Sequence, residues 1–122
     1  MTVLLVFAGG ALGAPARYLL DRFIQKRHDT VFPWGTFTVN LVGSLVLGFL
    51  IGLGTRLHIP QEVPIFVGTG VCGALTTFST FGFETTRLLE EGSFLAAGLN
   101  AVGGLLLGVL AAAAGYALAV LA

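Results

Sequence analysis

Four long apolar segments, separated by short polar stretches, make up most of this chain of 122 residues. They lie at residues 3–20, 34–53, 64–83 and 94–121. Each approaches the roughly 20 residues that an α-helix needs to cross the hydrocarbon core of a bilayer. The pattern predicts an all-α integral membrane protein with four transmembrane helices. Because the connections are short, residues 1–122 should form a single four-helix transmembrane subunit.

The composition agrees with this pattern and narrows the possible functions. Hydrophobic residues make up 56% of the chain and charged residues 10%, whereas about a quarter of the residues in a soluble domain are charged. The formal net charge is zero, which gives no reason to expect nucleic acid as a partner. The single cysteine, Cys72, excludes an intramolecular disulfide and is predicted to be a small apolar filler. The sequence contains no nucleophile and base pairing, phosphate loop or zinc spacing, so we predict that it is not an enzyme.

The distribution of basic residues gives a weak topology signal. With four spans, both termini share one side, which carries Arg56, whereas the other side carries Arg22, Lys26, Arg27 and Arg87. The positive-inside rule favours the second side as cytoplasmic. Because the bias is small, insertion in both orientations stays open.

Small residues recur at helical spacing in three of the spans. They are Gly9 and Gly13; Ser44, Gly48 and Gly52; and Gly104 and Gly108. Lipid gives no hydrophobic drive for helix association, so close approach through small residues replaces it. The spacing predicts a tight bundle, and the surplus of small faces predicts a dimer.

A charged residue lies inside the first span. Arg17 is followed four residues later by Asp21, on the same helical face. Either Arg17 extends to the interface with Asp21 as its partner, or it attracts anions at the mouth of a water-filled vestibule.

Two asparagines lie at membrane depth. Asn40 belongs to a polar stripe with Thr36 and Ser44, one helical turn away on either side. It is either a pore-lining donor or a hydrogen-bonding link between helices. Asn100, in the fourth span, poses the same choice without polar neighbours on its helix.

The segment at residues 73–83, GALTTFSTFGF, carries four hydroxyl side chains in an apolar span. They belong to Thr76, Thr77, Ser79 and Thr80, and each supplies an O–H donor. Polar groups in hydrocarbon are costly unless paired, so this cluster is a candidate functional site. Glycine and the β-branched threonines also weaken continuous helix here.

Charged and aromatic residues follow the same segment. Phe78 and Phe81 lie three residues apart, and their ring edges carry partial positive charge that can face an anion, although core packing is an alternative. Glu84 extends the face of Thr77 and Thr80. Arg87 follows three residues later, and Glu90 and Glu91 follow at the interface, so a local ion pair is the simplest expectation.

Three strings in this sequence resemble the signatures of the CrcB/Fluc family of fluoride channels. They are GGALGAPARY at 9–18, FPWGTFTVN at 32–40 and GVCGALTTFSTFGFE at 70–84. The resemblance covers three of the four spans in order. It implies passive fluoride export across a bacterial inner or plasma membrane, through a dimer of two antiparallel (dual-topology) subunits.

The resemblance also implies a break in the third helix and roles for individual residues. Backbone carbonyls of Gly73 and Thr76 would hold a structural sodium ion at the dimer axis. Phe78 and Phe81 would present ring edges to fluoride. The remaining implied roles are those of Asn40, Ser79, Thr80, Thr77 and Asn100 along the anion pathway, and of Arg17 as the vestibule charge.

The fourth span departs from the family pattern. Where the family often supplies a tyrosine and serines, this chain has Asn100, Gly104 and Gly108. The chain therefore either uses Asn100 and water, as a homodimer, or pairs with a related subunit. The alternative function is a small multidrug-type, proton-coupled efflux transporter, which needs a carboxylate deep in the first span. Here no carboxylate precedes Asp21.

Overall fold

The structure is a computed structural model that describes residues 1–27 and 32–121. These ranges contain five helices. Helix α1 spans Thr2–Lys26, α2 Trp34–Arg56, α4 Phe78–Glu90 and α5 Phe94–Leu121. Helix α3, at 64–75, begins in π-helical geometry over Pro64–Cys72 and ends in an α-helical turn, Gly73–Leu75.

Within the described ranges, four segments are long and apolar enough to cross a membrane. They are Thr2–Lys26, Trp34–Arg56, Pro64–Glu90 and Phe94–Leu121. The predicted number and order of spans are confirmed. The first three spans run further than predicted at their polar ends, to Lys26, Arg56 and Glu90, because hydropathy falls there before helix formation stops.

The first close helix contact joins α1 to α3. A Cβ atom placed on Gly9 would lie 2.7 Å from the Gly70 Cα and 2.9 Å from the Val71 backbone nitrogen. Gly13 is also buried against the Val71 backbone. We call Gly9, Gly13 and Gly70 the first seam. Because a side chain at these positions would meet backbone, the two helices can touch only through glycine.

The second close contact joins α2 to α5. A Cβ on Gly48 would lie 2.7 Å from the Ala112 carbonyl carbon, and one on Gly115 would lie 2.8 Å from the Phe49 nitrogen. Gly52 faces Tyr116 and Ala119 in the same way. Gly48, Gly52 and Gly115 form the second seam.

These seams confirm that the small residues at positions 9, 13, 48 and 52 serve helix contact. They also place those contacts within one chain, so the surplus of small faces no longer argues for a dimer. Gly104 and Gly108 are different, because the nearest atoms to a Cβ on them belong to the side chains of Phe81 and Ser44.

A tight turn reverses the chain between α4 and α5. Gly92 has φ of +79°, a conformation that suits glycine. The Gly92 N–H donates to the Leu89 carbonyl at 3.1 Å, and the Ser93 N–H donates to the Leu88 carbonyl at 2.9 Å. This cap satisfies carbonyls at the end of α4 and brings the start of α5 alongside that helix.

The predicted local ion pair in this segment forms between Arg87 and Glu91, and not between Arg87 and Glu84. The Arg87 Nε lies 2.9 Å from a carboxylate oxygen of Glu91, four residues later, and both side chains are largely exposed. Glu84 instead faces the interior between α4 and α2.

Candidate functional site: the junction between helices α3 and α4

The helical backbone is interrupted at Thr76 and Thr77, in the middle of the third span. Both residues are extended, with φ and ψ of −83° and 155° at Thr76 and of −148° and 119° at Thr77. We call these two residues the junction. Backbone groups outside a helix at this depth need partners from elsewhere in the protein.

Asn40 supplies those partners from α2. The Thr77 N–H donates to the Asn40 Oδ1 at 2.9 Å, and the Asn40 Nδ2 donates to the Thr77 carbonyl at 3.2 Å. One side-chain amide therefore satisfies both backbone groups of an extended residue. In a continuous helix the Thr77 N–H would bond to the Gly73 carbonyl, so the Asn40 contact takes that donor away from Gly73.

The threonine hydroxyls of the junction cap the two helix ends. The Thr76 hydroxyl donates to the Cys72 carbonyl at 2.9 Å. The Thr77 Oγ1 accepts from the Thr80 N–H at 3.2 Å and lies 3.0 Å from the Thr80 Oγ1. Thr77 is thus the N-cap of α4. The sequence singled out these hydroxyls as donors, and part of their bonding capacity serves the helix ends.

Two phenylalanine rings follow the junction on the first turn of α4. The ring centroids of Phe78 and Phe81 are 6.0 Å apart, with an interplanar angle of 38°. The Phe78 side chain is 83% exposed, whereas Phe81 is partly buried against α5. The rings therefore differ in environment within one chain.

A cavity of about 470 Å³ opens beside the junction, between α2, α3, α4 and α5. Most of its wall is apolar, and polar groups converge on it from α2 and the junction. The polar and aromatic lining residues are Phe37, Asn40, Ser44, Thr76, Thr77, Phe78 and Phe81. Glycines supply much of the remaining wall: Gly43, Gly68, Gly73, Gly104 and Gly108.

Glu84 lies one turn further along α4, partly buried. The hydroxyl of Thr36, which is 4% exposed, is within hydrogen-bonding reach of its carboxylate. In the described residues the Glu84 Oε1 is buried and has no hydrogen-bond partner. The predicted stripe of Thr36, Asn40 and Ser44 therefore faces α4, the junction and α5 in turn.

Asn100 is fully buried between α5 and α4. Its Nδ2 donates to the Thr85 hydroxyl oxygen at 2.7 Å, and the Thr85 hydroxyl donates to the Phe81 carbonyl at 2.9 Å. In the described part of the chain its Oδ1 has no partner, which costs about 1–3 kcal/mol for a buried acceptor. Asn100 is absent from the cavity lining given above.

Arg17 is partly buried on α1. Among residues 1–27 and 32–121, no ion pair joins it to Asp21. The Asp21 side chain instead packs against Gly35, at the start of α2. Asp21 is therefore not an ion-pair partner of Arg17 here, and the role of Arg17 as a vestibule charge stays a prediction.

The matching family model, described as CrcB-like protein, Camphor Resistance (CrcB), covers residues 4–116. The chain belongs to the CrcB family. Among curated relatives, the fluoride-specific ion channel FluC 1 of Frankia casuarinae is 54% identical over 98% of this chain and 96% of the relative. FluC 1 of Streptomyces avermitilis is 50% identical over 94% and 93%. The FluC channel of Shewanella sp. strain W3-18-1 is 48% identical over 82% and 81%.

In this CrcB-family chain most of the sequence-predicted residues converge on one region. Asn40, Thr76, Thr77 and Phe81 meet at the junction or the cavity. The side chain of Ser79 lies outside the described residues. The sequence did not indicate two further residues of this region, Gly43 and Thr85. Gly43 has no side chain, which leaves room for the Thr76 methyl group. The signal for Thr85 was its position four residues after Phe81, from which a threonine hydroxyl reaches back to a carbonyl.

Proposed function

We propose that this chain is the subunit of a fluoride-selective channel that lets fluoride leave the cell passively. The observation that carries the proposal is the near full-length likeness to relatives named fluoride-specific ion channels. A channel of this kind performs no covalent chemistry and needs no energy coupling. The multidrug transporter alternative gains no support, because the first span has no deep carboxylate and the relatives are channels.

The chemistry of the junction suits fluoride. The ion is small and strongly hydrated, so a pathway must replace its water with donors that do not trap it. Thr80, Thr77 and Ser79 would supply hydroxyls, and Asn40 has a second amide hydrogen beyond the one it gives to Thr77. Neutral donors can release the ion, whereas an ammonium group could hold it.

The rings of Phe78 and Phe81 would complete this pathway. A ring edge carries partial positive charge and attracts an anion without a formal charge. The two rings lie beside the cavity, 6.0 Å apart, which is close enough for one ion to contact both edges in turn.

The open cavity supports a dimer of two antiparallel subunits. Non-helical backbone at membrane depth is tolerated only where protein or water covers it. In one chain the cavity beside the junction is open, and Phe78 is almost fully exposed. A second copy, inverted in the membrane, would cover it. The small charge bias across the spans permits such insertion, and the partner is either an identical chain or a related subunit.

A structural sodium ion on the dimer axis fits the same backbone. Thr77 gives its N–H to Asn40 rather than to the Gly73 carbonyl, and Thr76 is extended, so its carbonyl belongs to no helical ladder. Carbonyl oxygens are the ligands that hard cations prefer. Gly73 and Thr76 of both copies would hold the ion, which would offset repulsion between nearby anions. Arg17 would act further out, as the charge that draws anions into the vestibule.

Anion flux tests this function. Purified protein in liposomes under an outward fluoride gradient should release fluoride rapidly, and chloride release under an equal gradient should be far slower. Comparable chloride flux would contradict the proposed selectivity. No flux of either ion would contradict channel activity, and empty liposomes give the background.

A further inference from the structure

The turn of α4 that carries Phe81 is attached to α5 at two neighbouring points. One point is a chain of hydrogen bonds and the other is a bare stretch of backbone. They lie at Asn100 and Gly104 of α5. Together they reach both the backbone and the ring of Phe81.

The hydrogen-bond chain runs from Asn100 through Thr85 to Phe81. The amide of Asn100, which is fully buried, donates to the Thr85 hydroxyl oxygen at 2.7 Å. That hydroxyl donates in turn to the Phe81 carbonyl at 2.9 Å. The hydroxyl of Thr85 can donate only one hydrogen, so the Asn100 donor fixes its oxygen while Phe81 takes its hydrogen.

The bare backbone lies at Gly104, under the ring. A Cβ atom placed there would lie 2.9 Å from the Phe81 Cε1, 3.6 Å from Cζ and 3.8 Å from Cδ1. Real side chains do not approach so closely, so any larger residue would push the ring away. At the neighbouring Gly103, no described residue beyond its own helical turn lies within 4 Å of a Cβ placed there.

The backbone of α5 is itself unusual beside these contacts. The segment Leu99–Gly103 is π-helical, and single π-helical turns inside α-helices are frequent at functional sites. The altered register places Asn100 against Thr85 while Gly104, four residues later, lies under the ring.

We propose that Asn100, Thr85 and Gly104 are positioning residues that fix the Phe81 ring for the passing anion. This inference rests on the proposed channel function. An anion is attracted to a ring edge and repelled by a ring face, so the tilt of the ring decides the strength of the contact. A ring fixed in advance need not reorganise when the ion arrives. Asn100 thus contributes through Phe81 and not as a wall of the pathway.

Two matched pairs of variants test this role by flux. Thr85→Val keeps the side-chain shape but removes both hydrogen bonds, whereas Thr85→Ser keeps the hydroxyl. Gly104→Ala displaces the ring, whereas Gly103→Ala meets open space. We expect Thr85→Val and Gly104→Ala each to lower fluoride flux per folded protein about tenfold, which is about 1.4 kcal/mol. The fluoride-to-chloride ratio should fall as well, and Thr85→Ser and Gly103→Ala should match the unmodified chain.

A second readout does not depend on conduction. Phenylalanine rings labelled with ¹³C give NMR signals in detergent micelles, and loss of one signal in Phe81→Leu assigns that ring. Thr85→Val and Gly104→Ala should move the Phe81 signal, and the two control variants should leave it in place. Unmoved ring signals in both test variants would overturn the proposal, as would unchanged flux and selectivity. If the unmodified chain conducts nothing, the channel function fails, while the ring signals still decide the positioning role.

Discussion

The two glycine seams and the junction differ in how the backbone finds its contacts: through bare helix surfaces in the seams and through polar side chains at the junction. In the seams, glycines bring the backbone of one helix against the backbone of another, and these contacts lie within the chain. At the junction the backbone leaves the helix, and one asparagine and two threonines satisfy it. The cavity beside it stays open. The comparison indicates that the seams provide a rigid frame, and that the polar groups are gathered where the chain is incomplete.

The largest effect is expected in the second seam. Gly115→Ala would place a methyl group against the Leu45 carbonyl and 2.8 Å from the Phe49 nitrogen. Because backbone cannot move aside as a side chain does, we expect a loss of about 3 kcal/mol in the free energy of unfolding. Gly54→Ala is the control, because no described residue beyond its own helical turn lies within 4 Å of a Cβ placed there. Equal melting temperatures of the two variants in detergent would show that the seam is looser than described.

The next effect concerns transport and not folding. Phe81→Ile keeps an apolar side chain but removes the ring edge, and fluoride flux should fall about a hundredfold, or 2.7 kcal/mol in barrier height. The oligomeric state on size-exclusion chromatography should not change. Phe83→Ile alters a ring that is 66% exposed on the same helix and should conduct normally. Equal flux of the two variants would remove Phe81 from the pathway.

Asn40 connects the frame to the junction, so its loss should affect both properties moderately. Asn40→Leu removes both hydrogen bonds to Thr77 and leaves two part-buried backbone groups without that partner, at a cost of about 2 kcal/mol. Asn40→Asp keeps the acceptor for the Thr77 N–H and should stay closer to normal stability. Its negative charge should nevertheless lower fluoride flux. If Asn40→Leu melts and conducts as the unmodified protein does, the two hydrogen bonds between Asn40 and Thr77 contribute neither to stability nor to flux.

The smallest effect is expected at Arg17, away from the junction. Arg17→Gln should lower fluoride flux about threefold at low salt by weakening the local attraction of anions. The difference should shrink near 0.15 M salt, where charges are screened beyond about 8 Å. Arg17→Lys keeps the charge and serves as the control. A salt-independent effect would indicate a structural role instead.

The frame was predictable from the sequence because hydropathy and small-residue spacing are local signals. The four spans, and the contacts of Gly9, Gly13, Gly48 and Gly52, follow from that pattern. The choice of partner helix does not, since a glycine face suits any other close helix. For that reason the same glycines suggested a dimer, whereas the structure uses them within one chain.

The site was predictable as a set of residues but not as a set of bonds. A row of threonines at membrane depth marks a polar site, yet the sequence does not show which hydroxyls cap helix ends. Arg87 pairs with Glu91 and not with Glu84 because side-chain rotamers, which spacing alone leaves open, choose between i,i+3 and i,i+4 neighbours. The link from Asn100 to Thr85 joins two helices and depends on the Gly92 turn and the register of α5.

The central proposal is that an inverted second subunit completes the open junction, and its simplest form, in which that subunit is an identical chain, can be tested directly. In a Cys72→Ala background, Gly73→Cys places a thiol at the junction and Gly98→Cys places one near the membrane-face end of α5. The chain is expressed alone, and intact membranes are treated with a short bifunctional thiol reagent. We expect a cross-linked dimer for Gly73→Cys only, because antiparallel copies hold residue 98 on opposite faces of a bilayer core about 30 Å thick. Cross-linking through residue 98, or none through residue 73, would contradict the claim.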